Sequence, residues 1–180
     1  MKNKTSLIAV LSIVAILLLP GYIDAQDEKE KDILSESVKA KAEFIKMDPS
    51  MTKFFDESYG YAMFPKAGKG GLIVGGGGGN GGVYEKGKEI GIAKMAQLSV
   101  GAQVGGQAYR EVIFFENKEA LDRFKDNKVE FTGQISAVAV KSGVSKNAKY
   151  TDGVVVFTQN INGLMAEATV AGQKFEYKAF

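Results

Sequence analysis

The chain contains no cysteine, histidine or tryptophan and only three prolines among 180 residues. Without cysteine or histidine it has no disulfide and no ligands for the zinc, haem or iron–sulfur sites that need them. The same absences exclude a Ser-His-Asp triad, a cysteine nucleophile and a histidine pH switch. The 23 basic and 21 acidic residues nearly balance. Because nucleic-acid-binding proteins usually present a strongly basic face, no nucleic-acid partner is expected.

The N-terminus has the pattern of a secretory signal peptide. Two lysines precede an apolar run over residues 7–19, which Pro20 and Gly21 follow, and Ala25 offers a small residue at a cleavage site. The run is shorter than the roughly 20 residues that span a bilayer. We expect cleavage after Ala25, a periplasmic or secreted location and one domain over residues 26–180. An uncleaved membrane anchor is the alternative.

The pattern after residue 26 predicts an α+β fold. Residues 27–47 have apolar side chains at helical spacing, among them Val38, with lysine and glutamate between them. Asn117 is expected to cap one further helix, which ends at Lys125. The predicted architecture is an N-terminal helix followed by a curved, mainly antiparallel sheet with one inserted helix. A barrel-like sheet is the most strongly curved form of this prediction.

Seven or more short strands are expected. Pro65 should close the first, and the segment 129–140 is undecided between strand and helix. The last two strands should form a hairpin across Ala171 and Gly172. The predicted strand segments are residues 59–64, 72–74, 83–84, 89–93, 109–115, 153–158, 164–170 and 174–178.

Glycine is unusually concentrated, with ten of the 22 glycines between Gly68 and Gly82. The tract 75–82 matches the glycine spacing of dinucleotide-binding loops. However, a predicted strand and turn follow it, so no helix N-terminus would be present to bind a phosphate. A structural role in bending, bulges or close backbone approach is favoured. A flexible tip and a ligand contact through backbone N–H groups, flanked by Lys66 and Lys69, are the alternatives.

No set of polar residues forms a recognisable catalytic site. Glu111 and Glu116 lie five residues apart in a predicted strand and should project to opposite faces, which is poor for paired acid–base chemistry. Asp122 and Asp126 share a helix face, but solvated surface charge explains them more simply. We therefore predict no enzyme activity, catalytic residue, metal or cofactor.

Six segments in order resemble the SYLF domain, also called the Ysc84 or DUF500 family, and cover about residues 30–180. The chain resembles an exported, single-domain bacterial member. The segments are Gly60-Tyr61-Ala62-Met63-Phe64-Pro65, Gly68-Lys69-Gly70-Gly71, Gly105-Gly106-Gln107-Ala108-Tyr109, Val112-Ile113-Phe114-Phe115, Tyr150-Thr151-Asp152-Gly153 and Gly172-Gln173-Lys174-Phe175.

The resemblance implies a lipid-binding module, because eukaryotic members associate with phosphatidylinositol-type membranes, and some with actin. Actin is not an expected partner of an exported protein. The predicted function is non-enzymatic association with anionic phospholipid or a membrane surface. An envelope protein-interaction or structural role without lipid binding is the alternative, and a carboxylate hydrolase ranks third.

Basic residues in two places are the candidate lipid-binding residues. The lysines in the first helix are the first candidates, because a basic amphipathic helix can lie at the interface with anionic lipid. The lysines beside the glycine tract are the next candidates. Packing of the apolar face of the helix, with Ile33, Leu34 and Val38, against the sheet is favoured over membrane contact by that face. Ordinary solvated lysines are likewise the favoured interpretation of Lys66 and Lys69. The candidate residues are Lys39, Lys41, Lys46, Lys66 and Lys69.

Overall fold

A computed structural model describes residues 21–70, 74–100, 107–127, 137–162 and 172–180. The chain divides into two compact units, Met1–Asp32 and Ile33–Phe180. The predicted signal peptide lies mostly outside the described residues, and its cleavage stays a prediction. Within the described ranges, no helix combines the length and the apolar character that crossing a bilayer requires.

Three α-helices are described, and the sequence explains where α1 ends and where α3 begins. Helix α1 (Gly21–Met47) begins upstream of residue 27, the predicted start, and stops before Pro49. Helix α2 (Met51–Glu57) follows directly. Helix α3 (Lys118–Lys125) begins after Asn117, whose side chain accepts a hydrogen bond from the Ala120 N–H at 3.0 Å, which confirms the predicted cap.

Within the described residues, seven strands form one sheet in the order β5-β6-β4-β1-β2-β3-β7, and among these strands only the β5–β6 pair is parallel. The predicted α+β class with a mainly antiparallel sheet is confirmed. Over the described residues β5 and β7 are the two edges, so the sheet is open rather than a closed barrel. The strands are β1 (Gly60–Gly70), β2 (Val74–Glu85), β3 (Lys88–Val100), β4 (Gln107–Phe115), β5 (Ala137–Ala139), β6 (Val154–Asn162) and β7 (Gln173–Ala179).

Contacts between distant strands show that the sheet curls. Three strands separate β4 from β7, yet Gln173 Nε2 donates a hydrogen bond to Glu111 Oε2 at 2.9 Å. The rings of Phe64 on β1 and Phe175 on β7 lie 5.8 Å apart between centroids. A flat sheet would keep these side chains well apart, because neighbouring strands are about 4.8 Å from each other.

Each face of the sheet has its own apolar core. Phe44 of α1 and Met51 of α2 pack against one face, which contains Phe114. Leu121 and Phe124 of α3 pack against the other, concave face. Residues 112–115 of β4 are fully buried and contribute to both cores. Each fully buried large side chain contributes about 1.5–3 kcal/mol, so the two cores dominate stability.

Two expectations about individual elements were wrong. Pro65 does not end its strand, because β1 continues to Gly70 through a register shift that accommodates the missing N–H. Val38 is 58% exposed, since the packed face of α1 is centred on Ser37 and Phe44.

Strand β7 pairs with β3. The hairpin partner expected at residues 164–170 lies outside the described residues, as do 128–136; residues 137–139 form β5.

The glycine tract is an ordered strand. It forms most of β2 and pairs with β1 on one side and β3 on the other. A Cβ atom built on Gly78 would lie 2.4 Å from the carbonyl oxygen of Met95, and one on Gly79 would lie 2.6 Å from that of Lys66. These positions require glycine for close backbone approach, which confirms the structural interpretation of the tract.

Asp48 links the end of α1 to the 3₁₀ helix Val144–Asn147. Its carboxylate is fully buried and accepts hydrogen bonds from the Ser50 N–H, the Ser145 N–H and the Ser145 hydroxyl at 3.0, 2.9 and 2.7 Å. Burial opposes ionisation, but these bonds and one from the Gly143 N–H outweigh it, lowering the pKa of Asp48 from 3.8 to about 2. The ionised carboxylate therefore stabilises the fold.

We expect part of the stability to disappear in acid because of Asp48. Its pKa is lowered in the folded state, so its contribution is present above pH 3.8 and is lost as the pH falls towards 2. The loss should be on the order of 2 kcal/mol. Urea unfolding of the native protein and of Asp48→Asn between pH 5 and pH 2 tests this. Parallel pH curves for the two proteins would contradict it.

Candidate functional site

Irregularities in two strands create a pocket beside α1. The register of β1 against β4 shifts between Phe64 and Ala67. The register of β4 against β6 shifts between Ala108 and Tyr109. Such bulges redirect the side chains that they contain. The residues displaced by the two shifts, Pro65 and Lys66 on β1 and Ile161 on β6, line the same pocket.

This pocket, the basic pocket, has a volume of about 230 Å³. Helix α1 contributes Glu36 and Lys39, β1 contributes Lys66 and β4 contributes Arg110. Its volume is below the roughly 300–1,000 Å³ of pockets that enclose whole small molecules. The basic pocket can therefore accept a group of the size of a phosphate, but not a complete lipid.

Three cations and one carboxylate give the basic pocket a positive balance. Lys39 Nζ lies 2.6 Å from Glu36 Oε1. This hydrogen bond and the charge of Lys39, with a smaller effect of Arg110, lower the pKa of Glu36. Arg110 Nη1 donates a hydrogen bond to Gln159 Oε1 at 3.3 Å, which helps to orient its guanidinium group. Such a site favours an anionic group with oxygen acceptors.

The structure brings together two of the five predicted lysines. Lys39 and Lys66 line the basic pocket, whereas the Lys41 ammonium lies over the Phe55 ring, 4.7 Å from its centroid. Lys46 is exposed in the last turn of α1. The backbone of Lys69 lies in β1, opposite Gly77 of β2, and its side chain lies outside the described residues.

Sequence reasoning missed Arg110. It precedes the apolar residues of β4, and nothing in its local pattern relates it to Lys66, 44 positions earlier. The register of β1 against β4 makes them neighbours at the bulge. Alternation along β4 could have placed Arg110 on the same face as Val112, but not beside a particular lysine.

The carboxylates considered for catalysis occupy separate environments. Glu111 is fully buried, whereas Glu116 is exposed in the turn after β4. Asp122 forms ion pairs with Lys118 and Lys125 on α3. Within the described part of the chain, no group of three acidic residues is placed to hold a metal ion. The basic pocket itself is lined by Lys39, Lys66 and Arg110, and these cations suit electrostatic binding of an anion.

Comparisons with known proteins identify the family. The family model Ysc84, described as Las17-binding protein actin regulator, matches residues 96–178. Beta cell expansion factor A of Aeromonas veronii is 31% identical over 127 residues, which is 71% of this chain and 49% of that protein. The chain thus spans about half the length of this curated relative. Neither name denotes an enzymatic activity. The chain belongs to the Ysc84 (SYLF) family.

Proposed function

We propose that this protein associates with a membrane surface by binding anionic phospholipid, and that it catalyses no reaction. The observation that carries the proposal is the basic pocket, which unites Lys39, Lys66 and Arg110 from three elements. An arginine and two lysines match the charge and the hydrogen-bond acceptors of a lipid phosphate. The small volume fits a head group whose acyl chains remain in the bilayer.

Exposed charge on α1 extends the same surface. Lys39 and Lys46 are seven residues apart, which is about two helical turns, so they lie on one side of α1. Both are exposed. A basic residue close to an anionic membrane contributes about 1 kcal/mol to binding. A few such residues are sufficient for reversible association.

The proposed location is the periplasm or the exterior of the cell. The lysines, the apolar run over residues 7–19 and Ala25 support removal of residues 1–25 during export. In that location the partner is the phospholipid of the envelope, and actin is not encountered. Detection of the mature N-terminus at Gln26 by mass spectrometry would support this assignment, and retention of Met1 in the cytoplasm would overturn it.

Vesicle co-sedimentation tests the proposed lipid binding. The purified protein should pellet with vesicles that contain phosphatidylglycerol, less so at higher salt, and weakly with pure phosphatidylcholine. The double variant Lys39→Gln/Lys66→Gln should bind anionic vesicles about 30-fold more weakly, which corresponds to about 1 kcal/mol for each lysine.

A second double variant serves as the control. Lys88 and Lys94 are exposed on β3 and do not line the basic pocket, so Lys88→Gln/Lys94→Gln removes the same charge elsewhere. Equal losses in the two variants would show that diffuse charge, and not the pocket, drives binding. Absence of binding to any vesicle would overturn the proposal and favour a protein partner in the envelope.

A further inference from the structure

A larger groove lies between α2 and the segment around the 3₁₀ helix. Its volume is about 560 Å³, within the range typical of small-molecule sites. Lys53, Phe54 and Glu57 of α2 form one wall, since residues three or four positions apart share a helix face. Lys146 and Tyr150 lie on the opposite wall. None of the residues of the basic pocket contributes to this groove.

Two aromatic rings form the apolar part of the groove. The ring of Phe54 is held by Phe157 and Phe114 of the sheet, at centroid distances of 5.0 and 5.4 Å. The ring of Tyr150 lies 5.9 Å from that of Phe54 and is inclined to it by 60°. Both residues line the groove, and an aromatic ring attracts an organic ammonium group through its electron-rich face.

The charges around the groove are of both signs. Lys53 pairs with Glu57 at 3.8 Å. Lys146 and Glu116, in contrast, are exposed and form no ion pair with any described residue. Burial, and then the negative charges of Glu116 and Glu57, raise the pKa of Tyr150 to about 12. Both carboxylates line the same groove as the two aromatic rings.

We propose that the groove binds a phosphoryl-ammonium zwitterion, of which phosphocholine and phosphoethanolamine are the simplest examples. The ammonium group lies against Phe54 and Tyr150 with Glu116 as its counter-ion, and the phosphate pairs with Lys146. A simple anion would be attracted by Lys146 and repelled by Glu116, and a simple cation would be attracted by Glu116 and repelled by Lys146. A zwitterion satisfies both, so charge complementarity selects this class.

Titration calorimetry with soluble ligands tests the proposal on the full-length protein. Phosphocholine or phosphoethanolamine should bind at least tenfold more tightly than choline alone or inorganic phosphate alone, because each of those lacks one partner. Glu116→Gln and Lys146→Gln should each weaken zwitterion binding about tenfold, the loss expected for one charge-assisted contact. Both residues are exposed, so neither change should impair folding.

Two control variants carry the same changes beside the groove. Glu119 and Lys149 are exposed, lie three residues from Glu116 and Lys146 and do not line the groove. Glu119→Gln and Lys149→Gln should leave the affinity within twofold of the native value. An equal effect of the control and groove variants would overturn the assignment.

Vesicles of pure phosphatidylcholine distinguish a lipid head group from a free ligand. Binding of both the soluble zwitterion and the vesicles, weakened by Glu116→Gln, would support a lipid source. Binding of the soluble ligand alone would support a free metabolite of the same chemistry. Inorganic phosphate bound as tightly as phosphocholine, or no binding of any zwitterion, would overturn the proposal. These outcomes are independent of anionic-vesicle binding at Lys39 and Lys66.

Discussion

Replacing Gly81 by alanine is expected to destabilise the protein by about 3 kcal/mol or more. A Cβ atom at this position would lie 2.3 Å from the carbonyl oxygen of Met63 and 2.8 Å from Cδ1 of Phe64. The first of these is a backbone atom in the centre of the sheet, so no rotamer change relieves the overlap. Strands β1 and β2 would have to separate, and both apolar cores depend on β1.

Urea unfolding of Gly81→Ala measures this effect, and Gly87→Ala is its control. Gly87 has a φ of +77° in the turn after β2, and nothing lies within 4 Å of an added Cβ atom. Only the left-handed backbone conformation disfavours alanine there, by about 1 kcal/mol. If Gly81→Ala proved no less stable than Gly87→Ala, the close approach of β1 and β2 would be contradicted.

Replacing Asp48 by alanine is expected to reduce the free energy of unfolding by about 3 kcal/mol. The change removes the acceptor for the Ser145 N–H, the Ser145 hydroxyl and the Ser50 N–H, and it leaves buried donors without a partner. Hydrogen bonds to a charged acceptor are stronger than neutral ones. The link between α1 and the 3₁₀ helix should loosen as a result.

Asp56→Ala is the matched control for Asp48→Ala. Asp56 is exposed on α2, so its removal should change stability by no more than about 0.5 kcal/mol. Asp48→Asn keeps the shape of the side chain and part of its acceptor capacity, and its loss should be intermediate. Equal stabilities of the Asp48 and Asp56 alanine variants would show that the buried carboxylate contributes little.

Much of the fold could be predicted because local chemistry determined it. The Asn117 cap and the strand at residues 109–115 each depend on a few adjacent residues. Pro65 was misjudged because a bulge, which the sequence pattern does not reveal, absorbs its missing N–H. Val38 was misassigned because Ser37, a polar residue, lies at the centre of the buried face.

The basic pocket could be predicted only in part. Lys39 and Lys66 were identified from charge next to a helix and a glycine tract, which is local information. Arg110 joins them only through the register of β1 and β4 and the two bulges. Lys41 was given the same role, but its ammonium group lies against aromatic rings instead. Register and side-chain direction are tertiary properties, and periodicity does not determine them.

Strand β7 has a consequence for the order in which the molecule assembles. It is the last of the described strands, yet Phe175 packs against Phe64 and Phe124 on the concave face. The interior therefore stays incomplete until β7 has been synthesised. Because contacts so distant in sequence slow folding, closure of this core should be a late event. A nascent chain that stops before Gln173 would leave β3 as an unpaired edge, which invites association with other chains.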